Sequence, residues 1–69
     1  MTHRSYGKSE LAQLYSPHLS VSAARRKLMQ WIHLQPLLMD ALHRSGFSDS
    51  MHTFTPYQVR LIVDALGEP

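Results

Sequence analysis

The sequence predicts a mainly α domain of four short helices with at most a minimal two-stranded β-ribbon. Three observations carry that expectation. Apolar residues recur at helical spacing, first as Val21, Ala24, Leu28, Trp31 and Ile32, then as Val59, Ile62, Val63 and Leu66. Helix-boundary residues separate these stripes: Ser16, Pro17, Ser20, Pro36, Gly46, Thr55, Pro56 and Gly67. Extended character is confined to Ser5 and Tyr6 and to residues 51–54, where Thr53 and Phe54 are good strand formers.

The first helix is expected over about residues 8–15. Gly7 is a tolerated N-cap, and Glu10 falls at N3, where a carboxylate meets the helix dipole. Leu11, Leu14 and Tyr15 share its apolar face, and residues 1–5 form a flexible arm. Ser16-Pro17 stops this helix, because proline biases the residue before it away from the α region. Ser20 or Ser22 caps the second helix, which reaches Leu34. Ser22, Ala23, Arg26, Gln30 and His33 point away from its apolar stripe. Arg25 and Lys27 fall on opposite flanks, where their stems cover apolar edges while their charges reach water.

Pro36 suits N1 of a third helix. Leu37, Leu38, Ala41 and Leu42 form its expected buried side, Gly46 ends it, and Phe47 packs back on the core. Ser48-Asp49-Ser50 reads as a turn. Residues 51–54 are expected to pair with residues 4–6 as a ribbon. Thr55, Pro56 and Gln58 are the clearest local signal in the chain, with Thr as N-cap, Pro at N1 and Gln at N3 of a capping box. The fourth helix runs to Leu66 and ends at Gly67.

At 69 residues this is one domain, 1–69, whose core supplies only roughly 3–5 kcal/mol. The absence of cysteine excludes a disulfide framework and a thiolate metal site, and it suits a reducing, cytoplasmic setting. No apolar run approaches the ~18 residues of a membrane span, and the N-terminal residues hold no apolar signal core. Membrane partners are therefore not expected. The formal charge of +2 is unevenly spread. Residues 1–34 hold Arg4, Lys8, Arg25, Arg26 and Lys27 against Glu10 alone, whereas residues 35–69 hold Arg44 and Arg60 against Asp40, Asp49, Asp64 and Glu68. A basic half beside an acidic half suits polyanion binding through the first.

Catalysis finds no support. No Ser, Thr or Lys stands in a nucleophile motif, and the carboxylates are scattered. Gly7, Gly46 and Gly67 lie at helix boundaries and form no phosphate-cradling loop. The five histidines show no ligand spacing, so no metal, cofactor or small-molecule ligand is expected. The function expected is non-enzymatic DNA binding by a helix-turn-helix, with the second helix in the major groove. Ser22, Ala23, Arg26 and Gln30 are the candidates for base edges, with His33 on the same face. Arg grips guanine and Gln grips adenine bidentately. Arg25, Lys27 and Lys8 are the candidates for phosphates. The alternative for the basic run is the solvated flank of a core helix. The alternative function is a protein–protein or dimerisation module, with Tyr57 and Leu61, four apart on the outer face of the last helix, as the candidate homodimer contact.

Further residues carry a resemblance. Tyr6-Gly7-Lys8-Ser9-Glu10-Leu11-Ala12 with Leu14-Tyr15, Trp31-Ile32, Pro36-Leu37, Gly46-Phe47, Thr53-Phe54-Thr55-Pro56 and Leu66-Gly67-Glu68-Pro69 resemble a family of small bacterial proteins, domain of unknown function 4248. That resemblance spans nearly everything after Arg4 and implies no established activity. More loosely, Ser9-Glu10-Leu11-Ala12 and Phe54-Thr55-Pro56-Tyr57-Gln58-Val59 resemble winged helix-turn-helix domains of the MerR and excisionase type. This second resemblance implies DNA contacts from the second helix and a role as regulator or mobile-element accessory factor.

Overall fold

Local capping chemistry divides the chain into six elements. The computed structural model describes residues 3–69, so Met1 and Thr2 of the expected arm lie outside the described residues. In order, the elements are β1 (Tyr6–Gly7), α1 (Lys8–Tyr15), α2 (Val21–His33), α3 (Pro36–Arg44), β2 (Thr53–Phe54) and α4 (Pro56–Leu66). The protein is mainly α with a single two-stranded antiparallel ribbon among the described residues.

Each helix begins and ends as its terminal residues dictate. Gly7 has no side chain, so only half of a capping box forms at α1, with the Gly7 N–H donating to Glu10 Oε1. At α2 the Ser20 hydroxyl accepts from the Ala23 N–H. Pro36 opens α3. Gly46 closes it in the left-handed region at φ 93°. There the Phe47 N–H bonds Leu42 O and the Gly46 N–H bonds His43 O, a Schellman ending that turns Phe47 into the core. The box at α4 is complete: Gln58 N–H donates to Thr55 Oγ1, and Thr55 N–H to Gln58 Oε1.

The ribbon pairs Tyr6 with Phe54 and Gly7 with Thr53, one residue beyond the expected 4–6 segment. Gly7 is extended at φ −61° and ψ 148°, so the strand runs into the helix cap itself. The Lys8 N–H then continues the ladder to His52 O at 2.7 Å. Arg4, from the expected arm, stacks over the Tyr6 ring and pairs with Glu10.

The core sits where the four helices and the ribbon converge. Leu11, Leu28, Ile32, Leu42, Phe54, Val59 and Ile62 are sealed from solvent, and Phe47 stacks on Phe54 with ring centroids 5.3 Å apart. Three apolar expectations need correction. Leu37 is 87% exposed, because Leu38 and Leu42, one turn apart, set the inward face of α3 and Leu37 lies 100° off it. Leu14 is displaced outward because Leu11 and Ala12 take the inner face of α1. Val21 is exposed because it stands at the first position of α2, beyond the core's edge. No helix among the described residues is long and apolar enough to cross a membrane.

Candidate nucleic-acid interface

The 13 residues of α2 present two opposed faces. Ala24, Leu28 and Ile32 repeat at every fourth position and are buried, which fixes the helix's rotation. Ser22, Arg26, Gln30 and His33 then share the outer face and are exposed, while Ala23 is half-buried at its margin. The outward ridge expected from the sequence is present.

The basic run itself is split. Lys27 turns to one side, its ammonium 5.2 Å from the Trp31 ring centroid. Trp31 in turn meets Tyr15 edge-on at 6.2 Å. The Lys27 charge thus sits against an aromatic face, a favourable contact for a cation. Arg25 and Arg26 turn to the other side and line a cleft of about 420 Å³. Lys8, Ser22, His33 and Asp49 line the same cleft, with Met29 between the basic groups. An apolar shelf of about 490 Å³, bordered by Met29, Gln30 and Leu34, adjoins it and shares Arg26 and His33.

Lys8 differs most from its expected surface role. It is only 6% exposed, with Nζ donating to Asp49 O at 2.9 Å and lying 5.5 Å from the Phe47 ring centroid. Its backbone forces this placement, since the ladder bond to His52 draws the first residue of α1 beneath the 48–50 turn. Burial lowers its pKa from the ordinary lysine value, partly offset by the attraction of Asp49, and Arg25 adds repulsion. Asp49 also faces His33, with Oδ1 3.8 Å from Nε2. The sequence gives no sign that Asp49 borders the basic helix, because it meets Lys8 across 41 residues of chain.

Ion pairing sorts the cations. Arg4 pairs with Glu10, Arg44 with Asp40 and Arg60 with Asp64. Among the described residues no carboxylate lies within ion-pair distance of Lys8, Arg25, Arg26 or Lys27. All four belong to α1 and α2. Among the described residues, the Lys and Arg charge left over from internal pairing is therefore carried by these two helices.

Residues 16–20, between α1 and α2, form a turn longer than the three or four residues of a tight helix-turn-helix. Ser16 is buried there, its N–H bonding Ala12 O and its carbonyl accepting from the Leu19 N–H. On α4 the two candidate dimer residues do not share an environment. Tyr57 is 59% exposed, whereas Leu61 is half-buried against the core. Among the described residues no group of three or more His, Cys, Asp or Glu side chains could hold a metal ion.

The family described as Domain of unknown function (DUF4248) matches residues 2–69. No curated protein and no solved structure matches the chain.

Proposed function

The chain belongs to the family Domain of unknown function (DUF4248); because that membership assigns no activity, we propose one from the placement of charge, namely non-enzymatic DNA binding in the cytoplasm through the outer face of α2. The observation that carries this reading is the ion pairing. Among the described residues every Lys and Arg without a carboxylate partner lies on α1 or α2, so a polyanion approaching that side displaces counterions without first breaking internal pairs. Arg25 holds phosphates on one flank of the helix and Lys27 on the other. Ser22, Arg26 and Gln30 form the ridge that enters the major groove, with Arg26 and Gln30 able to make bidentate contacts to guanine and adenine. The longer turn before α2 gives a variant helix-turn-helix.

Fluorescence anisotropy with a random duplex tests this directly. Binding at about 50 mM salt should weaken steeply by about 200 mM, as several phosphate contacts require. An Arg25→Ala/Arg26→Ala variant should lose most of the affinity while remaining folded, since neither side chain is buried. Salt-independent binding, or none at low salt, overturns the reading.

One observation favours a second reading, a protein–protein contact. Leu34 and Leu37 are 77% and 87% exposed at the corner between α2 and α3, beside the apolar shelf. Sedimentation equilibrium of the wild type against Leu37→Asp checks for self-association there. A monomeric wild type removes the homodimer form of this reading.

A further inference from the structure

Three of the four unpaired cations, Lys8, Arg25 and Arg26, line one concavity. We propose that the cleft between the first turn of α1, the outer face of α2 and the 48–50 turn seats a phosphate group, with Lys8 as its floor and Arg25 and Arg26 as its walls. The inference rests on the DNA-binding reading only for the source of that phosphate, a backbone diester. The pocket chemistry is the same for a free phosphorylated compound.

Lys8 is the central observation. A buried ammonium needs partners, and Asp49 O occupies one of its three N–H donors. The cleft it lines holds two more cations, Arg25 and Arg26, neither of which has a carboxylate within ion-pair distance among the described residues. Burial disfavours its charge, Asp49 offsets part of that and Arg25 adds repulsion, so an anion seated beside the Lys8 ammonium would add attraction where Asp49 alone now supplies it. Two guanidinium groups at the rim supply planar donor forks that match phosphate oxygens bidentately, with the Ser22 hydroxyl as a further donor beside them. At about 420 Å³ the cleft is larger than a bare phosphate and falls in the range of small-ligand pockets, about 300–1,000 Å³. Met29 gives the excess volume an apolar surface, so the ligand class is a phosphate ester whose attached group rests there.

Asp49 works against an anion in the same cleft. Its carboxylate lies toward His33, with Oδ1 3.8 Å from Nε2, and still repels an anion seated there. Neutralising Asp49 should therefore strengthen phosphate binding more than neutralising Asp64, which does not line the cleft.

The test is an amide NMR titration of the full chain with sodium pyrophosphate at fixed ionic strength, and separately with random duplex. Saturable shifts should cluster at Lys8, Ser22, Arg25 and Arg26. Pyrophosphate affinity should fall about tenfold in Lys8→Met and in Arg25→Gln, and rise several-fold in Asp49→Asn. Arg25 is exposed and has no carboxylate partner, so its variant keeps the test intact if Lys8→Met fails to fold. Arg44→Gln should change nothing. Pyrophosphate binding in the cleft without duplex binding supports the seat and overturns the DNA reading. Duplex binding with no saturable pyrophosphate site, and no effect of Asp49→Asn, overturns the seat and leaves the DNA reading standing. Shifts spread equally to Arg44 and Arg60 also overturn the seat.

Discussion

Gln58, in the first turn of α4, donates from Nε2 to Ser45 Oγ at the end of α3, 3.0 Å away. The same amide accepts the Thr55 N–H through Oε1, and the Ser45 hydroxyl donates to Leu42 O at 2.6 Å. One side chain, 1% exposed, thereby caps the start of one helix and secures the end of another. Replacing it by an apolar residue of similar size removes the partner of both the Thr55 N–H and Ser45 Oγ. Gln58→Leu should destabilise the fold by about 1–3 kcal/mol and Ser45→Ala by about 1 kcal/mol. The two effects should couple in a double-mutant cycle by at least about 0.5 kcal/mol. Urea denaturation gives these values, and strict additivity would show the chain of bonds to be energetically idle.

Gly7 leaves a cap incomplete that another residue can complete. Its dihedrals are ordinary for any residue, and a Cβ there would meet Glu10 Cβ at 3.7 Å, a normal contact. Gly7→Ser adds a hydroxyl to accept the Glu10 N–H and lowers the freedom of the unfolded chain. Stability should rise by about 0.5–1 kcal/mol, seen as a higher Tm. A lower Tm would mean that the strand-to-helix junction cannot carry a side chain.

The rotation of α3 is tested by neighbouring leucines. Leu37→Gln should change stability by no more than about 0.5 kcal/mol, as at an ordinary surface site. Leu38→Ala, one residue on and 5% exposed, should cost about 2–5 kcal/mol. Equal costs in chemical denaturation would place the face of α3 where the sequence reading put it.

Tyr15 carries an alkaline signature. Its hydroxyl donates to Gly67 O, and burial, with a smaller effect of Glu68, raises its pKa to about 12. The folded state then holds this proton after the unfolded chain has begun to lose it near pH 10, so stability is intact below about pH 10 and falls as pH rises toward 12. Tyr15→Phe should lose about 0.5–1.5 kcal/mol at neutral pH, and its stability should decline less than that of the wild type between those two values. Parallel pH profiles would remove Tyr15 as the cause.

Local chemistry made much of this fold legible in advance. Ser20, Pro36, Gly46 and the Thr55–Gln58 box act within one helical turn, and all four hold the roles that their residue types imply. Expectations that depended on packing between distant segments were weaker. Leu37 and Leu38 look alike in the sequence, and only the packing of α3 against α2 and α4 distinguishes them. Lys8 reads as a surface cation until the ribbon draws it beneath the 48–50 turn. The outer ridge of α2 was readable because its buried stripe is regular. The concavity beside it was not, because Asp49 and Lys8 have no sequence relationship that periodicity can detect.

The ribbon also bears on the order in which the molecule assembles. Neighbouring helices α1, α2 and α3 pack through contacts close in sequence, whereas β1–β2, Lys8–Asp49 and Tyr15–Gly67 join distant parts, the last pair 52 residues apart. Such closures must overcome chain entropy before they contribute, so they form late and open early. Thr53→Gly should accordingly quicken unfolding while leaving the folding rate nearly unchanged. When that seam parts, Phe54 loses its strand partner Tyr6, while α4 stays joined to α3 through Gln58 and Ser45 and the basic helix stays packed on its neighbours.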